Sequence, residues 1–241
     1  MLSNGYAMRA RDDAHPWWTN PDRHKRNDMG RVILIRHGRT FSNAQHILDT
    51  RPPGAELTEI GKTQADDAGL QLAQLSDNLG GIFCSVAIRA QQTALRIRTA
   101  YAQARAIATE SIPLEVMPGL HEIFVGDYEG RNDQDAHMAY GNTARQWMSG
   151  VNQVRLPGGE SAQDLVERYQ PIMEMAAERT GDHVLVVHGG AMRIAGLYAS
   201  DIDPHHAQKT YMSNCGFIVL EPSGEFGKWH CSHWVTPLHS A

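Results

Sequence analysis

Residues 32–43 read Val-Ile-Leu-Ile-Arg-His-Gly-Arg-Thr-Phe-Ser-Asn, and the fold class follows from this stretch. Its four leading apolar residues predict a buried strand that stops at Arg36 and His37. In open α/β sheets, ligands bind where the strands end. An arginine and a histidine at such an end, followed by Gly38, which permits close approach of the backbone, indicate a site for an anionic group.

Length and composition limit the classes of protein to consider. The chain has 241 residues, of which 41% are apolar and 20% are charged, and its formal net charge is −5. Such a chain can bury an ordinary core, and its acidic balance does not indicate a nucleic-acid or anionic-membrane partner. Its apolar runs are far shorter than the roughly 20 residues that span a bilayer.

The cysteines and the N-terminal residues indicate the cellular compartment in which the protein is expected. Cys84, Cys215 and Cys231 are odd in number and widely spaced, which favours reduced thiols over a disulfide framework. The N-terminal residues are polar and charged, without the apolar segment of a signal peptide. We therefore expect a cytoplasmic protein. We divide it into an N-terminal extension, residues 1–30, that adds no chemistry, and one catalytic domain, residues 31–241.

Apolar periodicity alternates between helix and strand along the domain. Helices are predicted from Thr58 to about residue 75, from about residue 87, weakly over 133–149, and after Ser161; strands are predicted over 82–84, 114–117, 184–187, 217–220 and 229–235. This alternation indicates a three-layer α/β/α sandwich around a mostly parallel sheet. The last two strands are joined by a short turn, which predicts an antiparallel hairpin at one edge.

Further polar residues lie beside these predicted elements, in an order that resembles a known family. The matching blocks are Arg36 to Asn43 (R-H-G-x-T-x-x-N), Leu57 to Ala65, Cys84 to Ala94 with Arg89, Leu120 to Gly130 with Glu122, and Val186 to Gly190 with His188. In this order they resemble the histidine phosphatase superfamily, which includes the phosphoglycerate mutases. The resemblance covers about residues 31–235.

The resemblance implies the phosphoglycerate mutase-like fold and a role for each matched residue. His37 is expected to be the nucleophile that forms a phosphohistidine, and Glu122 to be the acid/base. The expected phosphate-binding residues are Arg36, Asn43, Arg89, His188 and Gly189. We expect Gly189 in addition to let the backbone turn tightly after His188.

Residue chemistry is compatible with these roles. Only a neutral imidazole can attack phosphorus, so His37 needs an acceptor at its other ring nitrogen, and a local backbone carbonyl is the expected partner. Arginines match phosphoryl oxygens as planar forks and keep their charge, and His188, if protonated, would add a further cationic donor. Because these groups supply the charge that Mg²⁺ provides elsewhere, we expect no metal and no cofactor.

Alternatives remain for two of the site residues and for a metal. Asp127 or Glu129 could be the acid/base in place of Glu122, and Asn43 could be only a helix cap. A zinc site at the C-terminal His-Cys-Ser-His run (residues 230–233) is disfavoured, because a spacing of three places its two histidines on opposite faces of a strand.

The segment after Glu122 separates the branches of the superfamily. The mutases carry a longer insertion and an E-R-x-Y-G-x-L segment here, whereas Glu122-Ile-Phe-Val-Gly-Asp-Tyr-Glu-Gly resembles the phosphatase branch. We expect a phosphoric monoester hydrolase that acts on a small phosphorylated metabolite and could form a homodimer. Mutase-type phosphotransfer and a catalytically silent phosphate- or phosphoprotein-binding module are the alternatives. The loop at 50–56 departs from the family and is expected to shape substrate choice.

Overall fold

A computed structural model describes residues 30–235 of the chain. The strands are β1 (Val32–Arg36), β2 (Leu79–Ser85), β3 (Leu114–Met117), β4 (Asp182–Val187), β5 (Phe217–Glu221) and β6 (His230–Val235). The α-helices are α1 (Phe41–Ala44), α2 (Glu59–Leu75), α3 (Ile88–Arg105), α4 (Gln134–Met148), α5 (Ala162–Glu178), α6 (Gly189–Ala199) and α7 (Pro204–Lys209). The extension predicted at residues 1–30 lies outside the described residues, apart from Gly30.

The six strands form one sheet in the order β3-β2-β4-β1-β5-β6. β3, β2, β4 and β1 are parallel to one another, and β5 is antiparallel to both of its neighbours, β1 and β6. The predicted mixed α/β architecture with an antiparallel edge is therefore confirmed. No helix among residues 30–235 is long and apolar enough to cross a bilayer.

The central strand β1 is buried on both faces of the sheet. Val32 and Leu34 belong to one apolar cluster, and Ile33 and Ile35 belong to the other. Successive side chains of a strand point to opposite faces, so a run of four apolar residues supplies both halves of the core at once. This explains why β1 shows no alternation of apolar and polar residues.

Side-chain caps set the beginnings of three long helices. Thr58 Oγ1 accepts a hydrogen bond from Gly61 N at the start of α2, and the Asp133 side chain caps α4 in the same way. Ser161 and Asp164 form a reciprocal capping box at the start of α5. These caps explain why the boundaries predicted from Thr58 and Ser161 are accurate. Sequence periodicity did not predict α6, whose two leading glycines and Gly196 lower its intrinsic helix propensity.

The parallel strands deliver their polar residues to one edge of the sheet. Arg36 ends β1 directly opposite Val187, the last residue of β4. The residues that follow, His37 and His188, therefore leave the sheet side by side. Ser85, at the end of the neighbouring strand β2, completes this edge.

Candidate active site

A cavity of about 510 Å³ opens at the edge of the sheet where β1, β2 and β4 end. Its lining includes all of the predicted site residues except His188, namely Arg36, His37, Asn43, Arg89, Glu122 and Gly189. The structure therefore brings together residues that are up to 153 positions apart in the sequence. His188 lies behind this lining and contacts Arg89.

The His37 ring is held in one tautomer. Its Nδ1 lies 2.8 Å from the carbonyl oxygen of Gly38, and its Nε2 lies 3.2 Å from Nε of Arg89. An arginine N–H can only donate, so Nε2 must be the acceptor and Nδ1 must carry the proton. The local carbonyl expected from the sequence is that of Gly38, and the lone pair of Nε2 is left facing the arginine.

Burial keeps this imidazole neutral. His37 is only 4% exposed. Desolvation holds the pKa of His37 well below its ordinary value, and the positive charges of Arg89 and Arg36 lower it further, although the Gly38 carbonyl opposes them. The neutral form, which is the form able to attack phosphorus, therefore predominates.

Gly38 itself serves packing rather than approach of a ligand. A Cβ atom at Gly38 would lie 2.3 Å from the carbonyl oxygen of Gly61, in the first turn of α2. The glycine in the His37-Gly38 pair therefore lets the loop after β1 lie against α2. We had expected it to bring the backbone close to an anion.

Arg89, in the first turn of α3, contacts both imidazoles. It is 3% exposed, and its Nε lies 3.2 Å from His37 Nε2 and 3.3 Å from His188 Nδ1. Its Nη2 donates to the carbonyl oxygen of Asp49 at 2.9 Å, whereas its Nη1 is buried without a hydrogen-bond partner. Nη1 forms an ion pair with Asp49 Oδ2 at 3.7 Å, beyond hydrogen-bond distance, so its N–H groups are donors available to an anion.

Arg36 and Gly189 fit against each other. Arg36 Nη1 donates to the carbonyl oxygen of Met212 at 2.6 Å, and Arg36 Nε is buried without a partner. A Cβ atom at Gly189 would lie 3.0 Å from that Nε. The chain passes from β4 directly into α6 at Gly189, and this glycine does not have a positive φ. The glycine is needed for the space that the arginine occupies.

His188 is fully buried and neutral. Its Nδ1 accepts from Arg89, so its Nε2 carries the proton and donates to Ser85 Oγ at 2.8 Å. Burial, and then the charge of Arg89, hold the pKa of His188 well below its ordinary value. His188 therefore acts here as a hydrogen-bonding support for Arg89, not as the cationic donor considered from the sequence.

The neutral buried histidines predict a dependence of stability on pH. His37, His188 and the buried His183 all have a pKa below that of an unfolded histidine. The unfolded chain therefore binds more protons, and the free energy of unfolding should fall as the pH drops below about 6.5. Urea titrations between pH 7.5 and pH 5 measure this loss, and a flat profile would contradict the neutral assignment. His188→Gln should reduce the slope.

Glu122 connects the loop after β3 to the start of α6. Its Oε1 accepts from Ile123 N at 2.8 Å and from Ala191 N at 2.7 Å, and its Oε2 accepts from Gly190 N at 3.0 Å. Arg168 Nη2 in turn holds the carbonyl oxygen of Glu122 at 3.2 Å. The carboxylate is thus placed rigidly in the wall of the cavity.

The two alternative carboxylates, Asp127 and Glu129, lie outside the cavity lining. Glu129 accepts hydrogen bonds from Thr50 and from the backbone of Arg51, so it anchors the loop that begins there. Neither Asp127 nor Glu129 belongs to the cavity lining, whereas Glu122 does. The geometry therefore favours Glu122 among the three.

Asn43 both caps a helix and faces the cavity. Its Oδ1 accepts from Thr40 N at 3.2 Å, which completes a capping box on α1, and from Asn214 Nδ2 at 3.1 Å. With Oδ1 engaged, Nδ2 is the group available to a ligand. The two roles weighed from the sequence are compatible in one side chain.

Five residues of the cavity lining were not predicted from the sequence. Tyr140, Arg193, Tyr211, Met212 and Asn214 line the cavity, from α4, α6 and the loop before β5. Arg193 could have been found from its helical spacing to Gly189, had α6 been predicted. The others have no signal in the sequence, because only the packing of distant segments brings them to this edge.

No group of three or more His, Cys, Asp or Glu side chains within residues 30–235 is placed to hold a metal ion. In the C-terminal run weighed for zinc, His230 Nδ1 instead pairs with Asp201 Oδ2 at 2.9 Å.

Comparisons with known proteins agree with this architecture. The chain is 29% identical over 192 residues to a 2,3-bisphosphoglycerate-dependent phosphoglycerate mutase of Nitrobacter hamburgensis, covering 78% of this chain and 89% of that one. It is 26% identical over 194 residues to 2-carboxy-D-arabinitol-1-phosphatase of Triticum aestivum, covering 79% of this chain but only 37% of the relative. The structure of a mycobacterial glucosyl-3-phosphoglycerate phosphatase shares the fold at a TM-score of 0.66 and 21% identity, over 86% of this chain and 99% of that one.

The family is decided by a match over most of the chain. The sequence model of the histidine phosphatase superfamily (branch 1) matches residues 32–236, from the first residue of β1 to just beyond β6. This range contains every residue of the cavity described above, and the relatives include both phosphatases and mutases. The chain therefore belongs to the histidine phosphatase superfamily.

Proposed function

We propose that this chain is a metal-independent phosphatase that hydrolyses a small phosphomonoester through a phosphohistidine on His37, with Glu122 as the acid/base. The observation that carries the proposal is the placement of His37: a neutral, single-tautomer imidazole whose Nε2 lies beside Arg89 in a cavity. A nucleophile needs an unprotonated lone pair, and a phosphoryl group needs cationic donors around it.

In the first half-reaction, Nε2 of His37 attacks phosphorus and the ester P–O bond breaks. The leaving oxygen takes a proton from Glu122, so the products of this step are an alcohol, a phosphohistidine and a carboxylate. Arg89 Nη1 and Arg36 Nε are buried donors that make no hydrogen bond, although Arg89 Nη1 is ion-paired with Asp49, and they can bind the phosphoryl oxygens as charge shifts onto them. Loss of one such donor typically costs about 3–4 kcal/mol of transition-state stabilisation.

In the second half-reaction, the Glu122 carboxylate takes a proton from water and the water oxygen attacks phosphorus. The P–N bond breaks, inorganic phosphate leaves, and His37 returns to the tautomer held by Gly38. Both half-reactions balance with these two side chains and water alone.

The proposal is tested with p-nitrophenyl phosphate in excess EDTA. We expect chelator-resistant turnover, and a quench in alkaline SDS should trap an acid-labile, alkali-stable phosphoenzyme whose label maps to the peptide that contains His37. Turnover that EDTA abolishes and Mg²⁺ restores, or a label on another residue, would refute the mechanism.

Mutase-type phosphotransfer is the second candidate, because curated mutases match this chain at about 30% identity. The same active-site chemistry would then return the phosphoryl group to a substrate hydroxyl. Incubation with 3-phosphoglycerate and a bisphosphoglycerate primer, followed by ³¹P NMR, separates the two: a mutase produces 2-phosphoglycerate, whereas a phosphatase releases inorganic phosphate. We expect the release of phosphate.

A further inference from the structure

The loop that carries Glu122 has no regular secondary structure of its own. Residues 121–125 belong to neither a helix nor a strand, so no regular ladder of hydrogen bonds holds their backbone. Ile123 and Val125 are fully buried, but the burial of apolar side chains is non-directional. A proton donor must lie within hydrogen-bond reach of the oxygen that it protonates. The position of Glu122 therefore depends on other groups that hold this loop.

Arg168, on α5, binds carbonyl oxygens along the loop. Its Nη1 donates to the carbonyl oxygens of Gly119 at 2.6 Å and His121 at 2.7 Å, and its Nη2 donates to that of Glu122 at 3.2 Å. A Cβ atom at Gly119 would lie 3.0 Å from the backbone oxygen of Arg168, so the chain lies directly on α5 there. One planar guanidinium thus fixes three carbonyl groups, including that of the proposed acid/base.

Glu160 fixes the position of this guanidinium. Its two carboxylate oxygens accept from Arg168 Nε at 3.1 Å and from Arg168 Nη2 at 2.9 Å, and the two side chains are only 15% and 18% exposed. Glu160 also exchanges two hydrogen bonds with Phe124. Its Oε2 accepts from Phe124 N at 3.0 Å, and its backbone N donates to the Phe124 carbonyl oxygen at 2.9 Å. The ion pair therefore holds the loop both before and after Glu122.

The ion pair can act on the reaction only through Glu122, because both of its members lie outside the cavity lining. The Glu122 carboxylate accepts from Ile123 N in the loop and from Gly190 N and Ala191 N at the start of α6. These three donors belong to two separate elements. The carboxylate keeps its place only while the loop is fixed relative to α6.

We propose that Arg168, together with Glu160, is a positioning residue for Glu122: it fixes the loop backbone so that the carboxyl group can deliver its proton to the leaving oxygen. This inference rests on the phosphatase function proposed above. It assigns the ion pair to one chemical step, the protonation of the leaving group, and not to the attack of His37 on phosphorus. A displacement of about 1 Å at a reacting group can cost on the order of 10²-fold in rate.

The identity of the leaving group separates positioning from a contribution to folding alone. Arg168→Met removes every hydrogen bond of the guanidinium. We expect this variant to lower kcat/KM for 2-hydroxyethyl phosphate by about 10- to 100-fold, and that for p-nitrophenyl phosphate by no more than a few-fold. Because p-nitrophenolate leaves without a proton, only the alkyl phosphate reports the position of Glu122. Loss of folded protein would lower both values by the same factor, and that result would overturn the proposal.

Further variants of the same ion pair grade the effect. Arg168→Lys keeps the charge but has no planar fork, so it should show a smaller loss of the same selectivity. Glu160→Gln keeps one oxygen as an acceptor and should also lower kcat/KM more for the alkyl phosphate. Arg179→Gln is the matched control, because Arg179 pairs with Glu115 at 3.0 Å near the other end of α5, outside the cavity lining. The same selectivity in Arg179→Gln would contradict the assignment.

The measurements distinguish the failure of the proposal from that of its premise. If the wild-type protein releases phosphate from neither substrate, the proposed phosphatase function fails. If Glu122→Gln shows the dependence on leaving group and Arg168→Met does not, only the positioning role fails. Arg168→Met could fail to fold because it leaves the Glu160 carboxylate without a counter-charge. Arg168→Lys and Glu160→Gln then decide the question, and equal slowing of both substrates in these two variants would refute the role.

Discussion

His37→Ala is expected to abolish turnover of p-nitrophenyl phosphate, with a loss in kcat of at least about 10⁴-fold. The variant removes the atom that receives the phosphoryl group in the proposed mechanism. The other imidazole beside Arg89, that of His188, is fully buried and already engaged by Arg89 and Ser85. The measurement is steady-state release of p-nitrophenol together with trapping of the phosphoenzyme.

A chemical-rescue experiment makes the test of His37 more specific. Alanine leaves an opening where the ring stood, so added imidazole should restore part of the turnover in His37→Ala without restoring a phosphoenzyme. His230→Ala is the matched control, because His230 is a half-exposed histidine on β6 that pairs with Asp201. If His37→Ala retained activity within tenfold of wild type and still formed a phosphoenzyme, the nucleophile would be another residue.

Glu122→Gln is expected to lower kcat/KM, which reports the first half-reaction, by about 10²- to 10⁴-fold for an alkyl phosphate and far less for p-nitrophenyl phosphate. An alkoxide needs a proton as it leaves, whereas p-nitrophenolate is stable enough to leave unaided. The glutamine amide keeps one oxygen, which can replace Oε1 as the acceptor for Ile123 N and Ala191 N, and it loses only the bond that Gly190 N donates to Oε2. The variant therefore removes the carboxyl proton of residue 122 and changes the shape of the side chain little.

The comparison of leaving groups is what identifies the acid. A plot of log kcat/KM against the pKa of the leaving group should be steeper for Glu122→Gln than for wild type. Equal slowing for alkyl and p-nitrophenyl phosphates would contradict Glu122 as the proton donor. Glu129→Gln is the matched control: Glu129 anchors Thr50 and Arg51, so this variant should leave the slope unchanged even if it loosens that loop.

The sequence alone was sufficient to predict the fold class and most of the residues that the proposed mechanism uses. A run of four apolar residues that ends in Arg36 and His37 predicts a buried strand with a site at its end, and caps at Thr58 and Ser161 define their helices from local interactions. Such features depend on neighbours in the chain, which is why they can be read without coordinates. Helix α6 was missed because its glycines weaken the local signal, and its packing against the sheet compensates for that.

Only the tertiary structure indicated the protonation state of the imidazoles, favoured Glu122 over its neighbours, and showed the part of the cavity wall formed by Tyr140 and Arg193. The His37 tautomer depends on Arg89, which is 52 positions away, and the low pKa of His188 depends on burial that no local pattern reports. Charge, desolvation and hydrogen bonding act across space and not along the chain. The sequence by itself therefore determined which chemical groups this protein has, and the fold determined the state in which each one meets a substrate.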